Sequence, residues 1–541
     1  MPSALSVLPL ELTVLGNTLT LEVGLAQRFM KDHALDIQQG LERVLNAQGV
    51  PLPQSGDFWK TIFETSHLEM LSPLHHLVGL QGAIWLTDNH LGDLAILLCT
   101  MMNSQGLTED LLSLLSVWDP PAEEVDAPMT LQDARSLRDV LLTAAAFHQG
   151  LQELHVGNLP LALSNLQKAA FSLCPRPVLA QVHTALGACL RKMGHPQRAL
   201  LHLLEALKAG PGQGPPLLEA AQLYRQLGHT TAELDSLKLL VEVLSIPHSP
   251  RPPLFPIGVE LLITPPSPAS SLYCGTQSQA KHLLASRCLQ TGRSEEAVEQ
   301  YLDLLALLLD GSVSQQAPRV PEIFLETAAA LIIVGRFQDS LTVCEELLSR
   351  IALLVPQKLQ LGQGAEHLFC LLWASVAHLL QGQAHAGLGD RRKALEEFSR
   401  CLELLFRVAG GDIDQGVDVI SQSELDPVLQ RLKAVTLICR GLEWVAGGQD
   451  ARALQDFLLG VQVFPGDRNA SLHLLHVLWR LERREEAIAI YQRLEAEDDQ
   501  QQDDSEGLLP LYLEFCMSRI RITEQEFLLQ ELRKSLQRSH D

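Results

Sequence analysis

Histidines and cysteines are the residues whose types could bring metal or redox chemistry to this chain, and neither set is spaced for it. His75-His76 and His473/His476 are pairs with no cysteine or carboxylate at ligand spacing, so exposed or core histidines are expected rather than zinc ligands. The ten cysteines are scattered singly from Cys99 to Cys516, with no Cys-x-x-Cys among them. Most sit at apolar positions of helical patterns, as in Ala188-Cys189-Leu190, which is the usage of small core residues in a reducing compartment. The sequence has no Gly-x-x-x-x-Gly-Lys-[Ser/Thr] phosphate loop, His-Glu-x-x-His pair or Gly-x-Ser-x-Gly elbow, and Gly387-Leu-Gly389 falls at a repeat turn. No catalytic residue, metal or cofactor is expected. Ser249-Pro250 and Ser267-Pro268 remain, making Ser249 and Ser267 candidate phosphorylation sites.

Composition narrows the class further. Of 541 residues, 46% are apolar, 19% charged and only 5% aromatic, with leucine and alanine abundant, which favours helices around a large core. The net charge of −23 includes seven acids between Glu495 and Glu506, and without that run it is still −16. Such a balance repels phosphate backbones, so direct nucleic-acid binding is not expected. Residues 1–16 lack the basic start of a secretory signal. The longest uncharged apolar stretch, His367 to Gly389, is interrupted by His, Gln and Gly too early to span a membrane.

The elements that would position any binding residues come from an internal repeat. Glycine followed five residues later by alanine recurs at Gly157/Ala162, Gly194/Ala199, Gly292/Ala297, Gly389/Ala394 and Gly448/Ala453. Taken as positions 15 and 20 of a 34-residue unit, these give starts at 143, 180, 278, 375 and 434; units at 214, 321 and 468 fit the same frame. Position 8 played no part in choosing the frame, yet it is Gly150, Gly187, Ala221, Ala285, Ala328, Gly382 and Gly441, with Leu475 the exception. Position 24 is bulky or apolar throughout, from Leu166 and Leu203 to Phe398, Phe457 and Tyr491. The physical unit is a pair of antiparallel helices. Small residues at position 8 and at position 20 (Ala199, Ala297, Ala394, Ala453) let the two cross closely. Glycine ends the first helix in a left-handed conformation, and position 24 fills the groove toward the next unit. One unit cannot bury its apolar face alone, so the units must stack.

This pattern resembles the tetratricopeptide repeat, best in the units at 180 and 434; Glu233 at position 20 and Leu475 at position 8 depart from it. The expected fold is all-α, a superhelical solenoid of about eight degenerate repeats over 143–501. A proline-rich insertion at 245–277 holds eight prolines between Pro247 and Pro268, and its apolar middle, Leu254 to Ile263, is expected to pack back on the repeats. Residues 1–142 form an irregular, mainly helical region, in which alternation across Gly16-Asn17 suggests a β-hairpin at 10–23. Residues 502–541 read as C-terminal capping helices.

A solenoid of this kind offers a surface made by first-helix positions 2, 5, 9 and 12. The candidate partner-binding residues are Gln181, Thr184 and Arg191 in one unit, Gln279 and His282 in another, and Val435, Ile438 and Leu442 in a third. The last set is apolar enough to bury a partner's helix, unless superhelix closure or an insertion covers it. A one-base-per-repeat RNA reader is disfavoured by the acidic balance. A co-chaperone-type adaptor that clamps a carboxylate needs Asn at position 9, where Ala188, Gln222, Ser286 and Gln383 stand instead.

Beyond the repeat, Leu8-Pro-Leu-Glu-Leu-Thr-Val14, the Phe-His-Gln-Gly ending at Gly150, Leu173-Cys-Pro-Arg-Pro-Val178, His282–Gly292 and Gly441-Leu-Glu-Trp-Val445 resemble the Fanconi anaemia complementation group G family over almost the whole chain. Members of that family ordinarily carry several dozen further residues ahead of the equivalent of Leu8. The resemblance implies a non-catalytic nuclear adaptor of the Fanconi core complex, a ubiquitin ligase acting in DNA interstrand-crosslink repair. It also implies association with the group A protein and other subunits of that complex.

Overall fold

Residues 10–23 show how tertiary packing settles what an alternating pattern leaves open. In the computed structural model they lie inside one helix, α1 (Ala4–Ala26), and the expected hairpin is absent. Leu10, Leu12 and Val14 would share one face of a strand, yet Leu12 is buried while Leu10 and Val14 are exposed. The buried set is Leu8, Leu12, Thr13, Gly16, Leu19, Thr20, Val23 and Gly24, a helical spacing. Thr13, Thr18 and Thr20 donate their hydroxyls to carbonyls four residues back, so these threonines are satisfied within a helix. Gly16 is a crossing point and not a turn: a Cβ there would stand 2.6 Å from His76 Nδ1.

The structure describes residues 4–51, 58–102, 110–121, 130–172, 174–246, 256–263, 270, 272–309, 319–352, 365–409, 419–465, 468–498 and 511–518, and no strand occurs among them. The chain forms two compact units, residues 1–277 and 278–541. The first opens with α1, α2 (Lys31–Gln48), α3 (Phe58–Thr65), α4 (Leu71–Thr87), α5 (Leu91–Met101) and α6 (Leu111–Val117). A shared core that includes Leu12, Val23, Ile37, Leu45, Leu74 and Leu77 joins α1, α2 and α4. Helix α7 (Ala134–Val156) starts at Asp133, whose carboxylate accepts the Ser136 N–H. Asp133 is thus the N-cap of α7.

Three helix hairpins complete the first unit: α7 with α8 (Leu159–Phe171), α9 (Arg176–Lys192) with α10 (Pro196–Ala209), and α11 (Gly214–Gln226) with α12 (Thr230–Ser245). A short helix, α13 (Val259–Leu262), follows inside the proline-rich insertion. The second unit holds α14 (Gln277–Gln290) with α15 (Ser294–Leu309), α16 (Val320–Val334) with α17 (Phe337–Ile351), and α18 (Ala365–Gly387) with α19 (Arg391–Ala409). Then come α20 (Val419–Ala446) with α21 (Asp450–Val463), α22 (Arg468–Arg480) with α23 (Arg484–Asp498), and the short α24 (Leu511–Ser518). The first helix of each pair contains one of the repeat starts. Turn glycines such as Gly194 (φ 77°) and Gly389 (φ 81°) take the left-handed conformation, and at the last turn Glu482 takes it too (φ 58°).

The small residues sit where the paired helices cross. A Cβ on Gly150 would lie 2.7 Å from Leu166 Cγ, one on Gly187 2.7 Å from Leu203 Cδ2, and one on Gly441 2.5 Å from Phe457 Cε1. Gly382 faces Phe398 in the same way. Position 24 therefore fills the crossing of its own hairpin first; Leu203 then joins Ala220 and Leu223 of α11 in one cluster. Ala221, Ala285, Ala328, Ala199, Ala297, Ala394 and Ala453 are all buried. The two departures from the frame have local remedies. Glu233 is buried with its carboxylate 2.9 Å from Arg225 Nε, and Leu475 packs in a cluster with Tyr491.

Candidate protein-interaction site

The residues expected to face a partner lie on the first helices of the hairpins, and most are already occupied. On α9, Thr184 is fully buried and donates to Ala180 O, so it is no contact residue. Arg191 reaches across to α11, with Nε 3.0 Å from Glu219 Oε2 and Nη2 2.9 Å from Gln222 Oε1. Burial pushes the Glu219 carboxyl above its usual range, and the adjoining guanidinium pulls it only part of the way back. On α14, His282 Nε2 lies 2.7 Å from Glu326 Oε2 of α16, and the same oxygen accepts the Tyr301 hydroxyl at 2.9 Å. Burial first, and Glu326 second, hold the Tyr301 phenol far above its ordinary pKa, so it stays a donor. On α20, Val435 and Ile438 are buried, which removes them as surface residues; Gln181, Gln279 and Leu442 are half-buried.

Segments of the chain itself also pack onto first helices of each unit. In the first unit the insertion returns to α4, α7 and α9, and Val259, Leu262 and Leu272 enter a core with Val78, Leu141, Ala145 and Val182. Gln132 fixes its path by a reciprocal pair, Nε2 donating to Ile257 O and Oε1 accepting Ile257 N–H, both at 2.9 Å. His148 Nε2 meets Leu262 O at 3.1 Å. In the second unit, α24 rests on α16 and α20, with Tyr512, Leu513 and Cys516 buried. Gln383 of α18 donates to Cys516 O at 3.5 Å and lies 3.7 Å from Cys439 Sγ of α20. Leu511–Ser518 thus lies along first helices within the unit; the remaining residues of the proposed C-terminal cap, and both Ser249 and Ser267, lie outside the described residues.

The sequence singled out none of Gln132, His148 or Gln383 as a site residue. Gln383 alone had a signal, standing at position 9, and the other two have no local mark. His75, His76 and His473 pack within the fold. His75 Nδ1 accepts from Trp118 Nε1 at 3.0 Å, while His76 is buried with neither ring nitrogen bonded. His473 stacks on Phe457, with ring centroids 5.7 Å apart. Burial lowers the pKa of His76 and of His473 to about 4, so both are neutral. No group of three or more potential metal ligands occurs among the described residues. No described helix is long and apolar enough to cross a membrane.

What remains exposed is apolar in places. Leu201 and Leu204 on α10 and Leu239 on α12 lie on second helices of the first unit at 64%, 48% and 50% exposure. A cleft between α19 and α20 is lined by Arg391, Arg392, Arg400, Glu396, Glu443 and Trp444. There Arg392 pairs with Glu396 and Lys393 with Asp390 at the exposed start of α19.

Comparison with known proteins points to one family. A family model described as the Fanconi anemia group G protein N-terminal domain matches residues 1–129. A Fanconi anemia group G protein homolog from Mus musculus is 53% identical, the alignment covering 99% of this chain and 89% of that protein. Among solved structures, a tetratricopeptide repeat protein from Parabacteroides merdae is 14% identical with a TM-score of 0.30, over 62% of this chain and 98% of its own. The C-terminal part of a repeat-containing protein from Cytophaga hutchinsonii is 9% identical with a TM-score of 0.38, over 61% and 99%. Identity of this extent with the mouse protein decides the matter: the chain belongs to the Fanconi anemia group G family.

Proposed function

We propose that this chain is a non-catalytic scaffold subunit of the Fanconi core ubiquitin-ligase complex, acting in the nucleus in DNA interstrand-crosslink repair. It holds the group A protein and other subunits through its repeat surfaces. Family membership supports the pathway. The observation that carries the scaffold reading is that buried ionisable groups join helices, as Arg191–Glu219 and His282–Glu326–Tyr301 do, while Leu201, Leu204 and Leu239 stay exposed. Solvent-facing aliphatic side chains on neighbouring helices suit a protein partner. The half-exposed Gln181, Gln279 and Leu442 border the inner faces and complete the proposed contact set.

The test is recovery of partners from nuclear extract on the tagged full chain. Wild type is expected to retain the group A protein, and Leu201→Glu/Leu204→Glu to lose at least ~10-fold of it at an unchanged melting temperature, since a desolvated interface charge costs several kcal/mol. Equal recovery on both chains would remove this face from the interface. Failure of the wild type to retain any Fanconi subunit would remove the scaffold reading.

A further inference from the structure

Three arginines and a tryptophan line one cleft of the second unit, in a chain whose net charge is −23. Arg391, Arg392 and Arg400 lie along α19 and Trp444 on α20, and with Leu395 and Gly447 they enclose about 660 Å³. Leu395 and Trp444 are half-buried, whereas the three arginines are exposed. Their charge is loosely held. The Arg391 guanidinium makes no hydrogen bond or ion pair with any described residue. Arg392 meets Glu396 one turn on at 3.3 Å, a solvated pair that exchanges readily, and Arg400 pairs through Nη1 with Glu397 of its own helix. Glu443, the other carboxylate of the cleft, is half-buried; burial raises its pKa, and the field of Arg391 lowers it in part. The Arg452 guanidinium lies over the Trp444 ring, 4.9 Å from its centre.

We propose that this cleft binds an acidic peptide segment of a partner protein. An aliphatic or aromatic side chain of that segment lies against Leu395 and Trp444, and its carboxylates pair with Arg391, Arg392 and Arg400. Charge complementarity selects such a partner. A guanidinium holds a carboxylate through two parallel hydrogen bonds, and arginine and tryptophan are side chains that dominate the energetics of protein interfaces. The volume suits a short segment. Glu396 and Glu443 disfavour the other polyanion: a nucleic acid carries a phosphate at every step and cannot avoid them, whereas a peptide can set a neutral residue opposite each. The proposal rests on the scaffold reading and names a partner's chemistry. Its test uses peptides in place of the group A protein, so either can fail without the other.

The probe is a phage-displayed library of random peptides, about twelve residues long, selected on the tagged full-length chain at physiological salt. Enriched sequences are expected to carry several Asp or Glu around one aliphatic or aromatic residue. The leading sequence, made as a fluorescein-labelled peptide and titrated by anisotropy, is expected to bind Arg391→Glu/Arg392→Glu at least ~10-fold more weakly than wild type. Acids in the first turn suit a helix N-terminus, so this variant is expected to keep its helical circular dichroism and melting temperature. The same change of net charge at the start of α23, Arg483→Glu/Arg484→Glu, is expected to leave binding unchanged. Selection without acidic enrichment, or equal loss in both double variants, overturns the proposal. A single-stranded oligonucleotide that binds wild type more tightly than the peptide would assign the cleft to nucleic acid and overturn it as well. Peptide binding that appears only after the seven acids between Glu495 and Glu506 are changed to their amides would give the cleft to the chain's own acidic run, against the proposal.

Discussion

At the scale of residues, glycine does two separate jobs that the repeat frame distinguishes by position. At position 8 it admits a bulky residue from the facing helix, and a methyl on Gly441 would press into the Phe457 ring. Gly441→Ala is expected to destabilise by about 1–3 kcal/mol in denaturant melts. The control is Gly92, an exposed glycine in α5 where an added Cβ would meet nothing within 4 Å. Gly92→Ala is expected to gain about 0.5–1 kcal/mol from the helix alone. At position 15 glycine supplies the left-handed turn, and Glu482 bears the steric penalty at φ 58°. Relieving a strain of about 1–2 kcal/mol, less the entropy glycine adds to the unfolded chain, makes Glu482→Gly stabilising by about 0.5–1 kcal/mol. Both jobs were legible because each leaves a spaced residue type in the sequence. Gln132 and His148 leave none: their partners, Ile257 and Leu262, lie more than a hundred positions away.

At the scale of elements, what the frame could reveal was the helix pair, because its crossing and turn residues lie within one 34-residue window. The N-terminal segment was misleading for the opposite reason. Alternation at Leu10–Leu15 fits a strand as well as a helix, and the deciding contact, Gly16 against His76, is sixty positions distant. Pairs of hairpins are joined by buried ions that the apolar pattern also hides. Arg191→Met leaves Glu219 buried without its partner and is expected to cost about 3–5 kcal/mol. Arg191→Met with Glu219→Leu is expected to recover most of that loss, because two apolar side chains need no counter-charge. A double variant as unstable as the single one would show that packing at this joint, and not the ion, carries the effect.

At the scale of the molecule, each unit buries a neutral histidine, His76 in the first and His473 in the second. Their pKa values of about 4 lie below the ordinary 6.5 of an unfolded chain. Between those values the unfolded chain binds protons that the folded chain refuses, so stability is present above pH 6.5 and is lost as pH falls toward 4. Each group contributes about 1.4 kcal/mol per pH unit in that window. Chemical denaturation at pH 7.5 and pH 5 is expected to show this decline, and His473→Leu is expected to reduce its slope. The same scale holds the feature least visible in the sequence: the inner faces are filled by α13 and α24, segments outside the repeat units. The four residues of α13 cannot hold a helix in water unaided. Hydrogen–deuterium exchange on the free full-length chain therefore tests the account directly. Amides of 259–263 and 511–518 are expected to exchange at least ~10-fold more slowly than in the corresponding free peptides. Exchange at the free-peptide rate in both segments would mean that the inner faces stand open, contradicting the account.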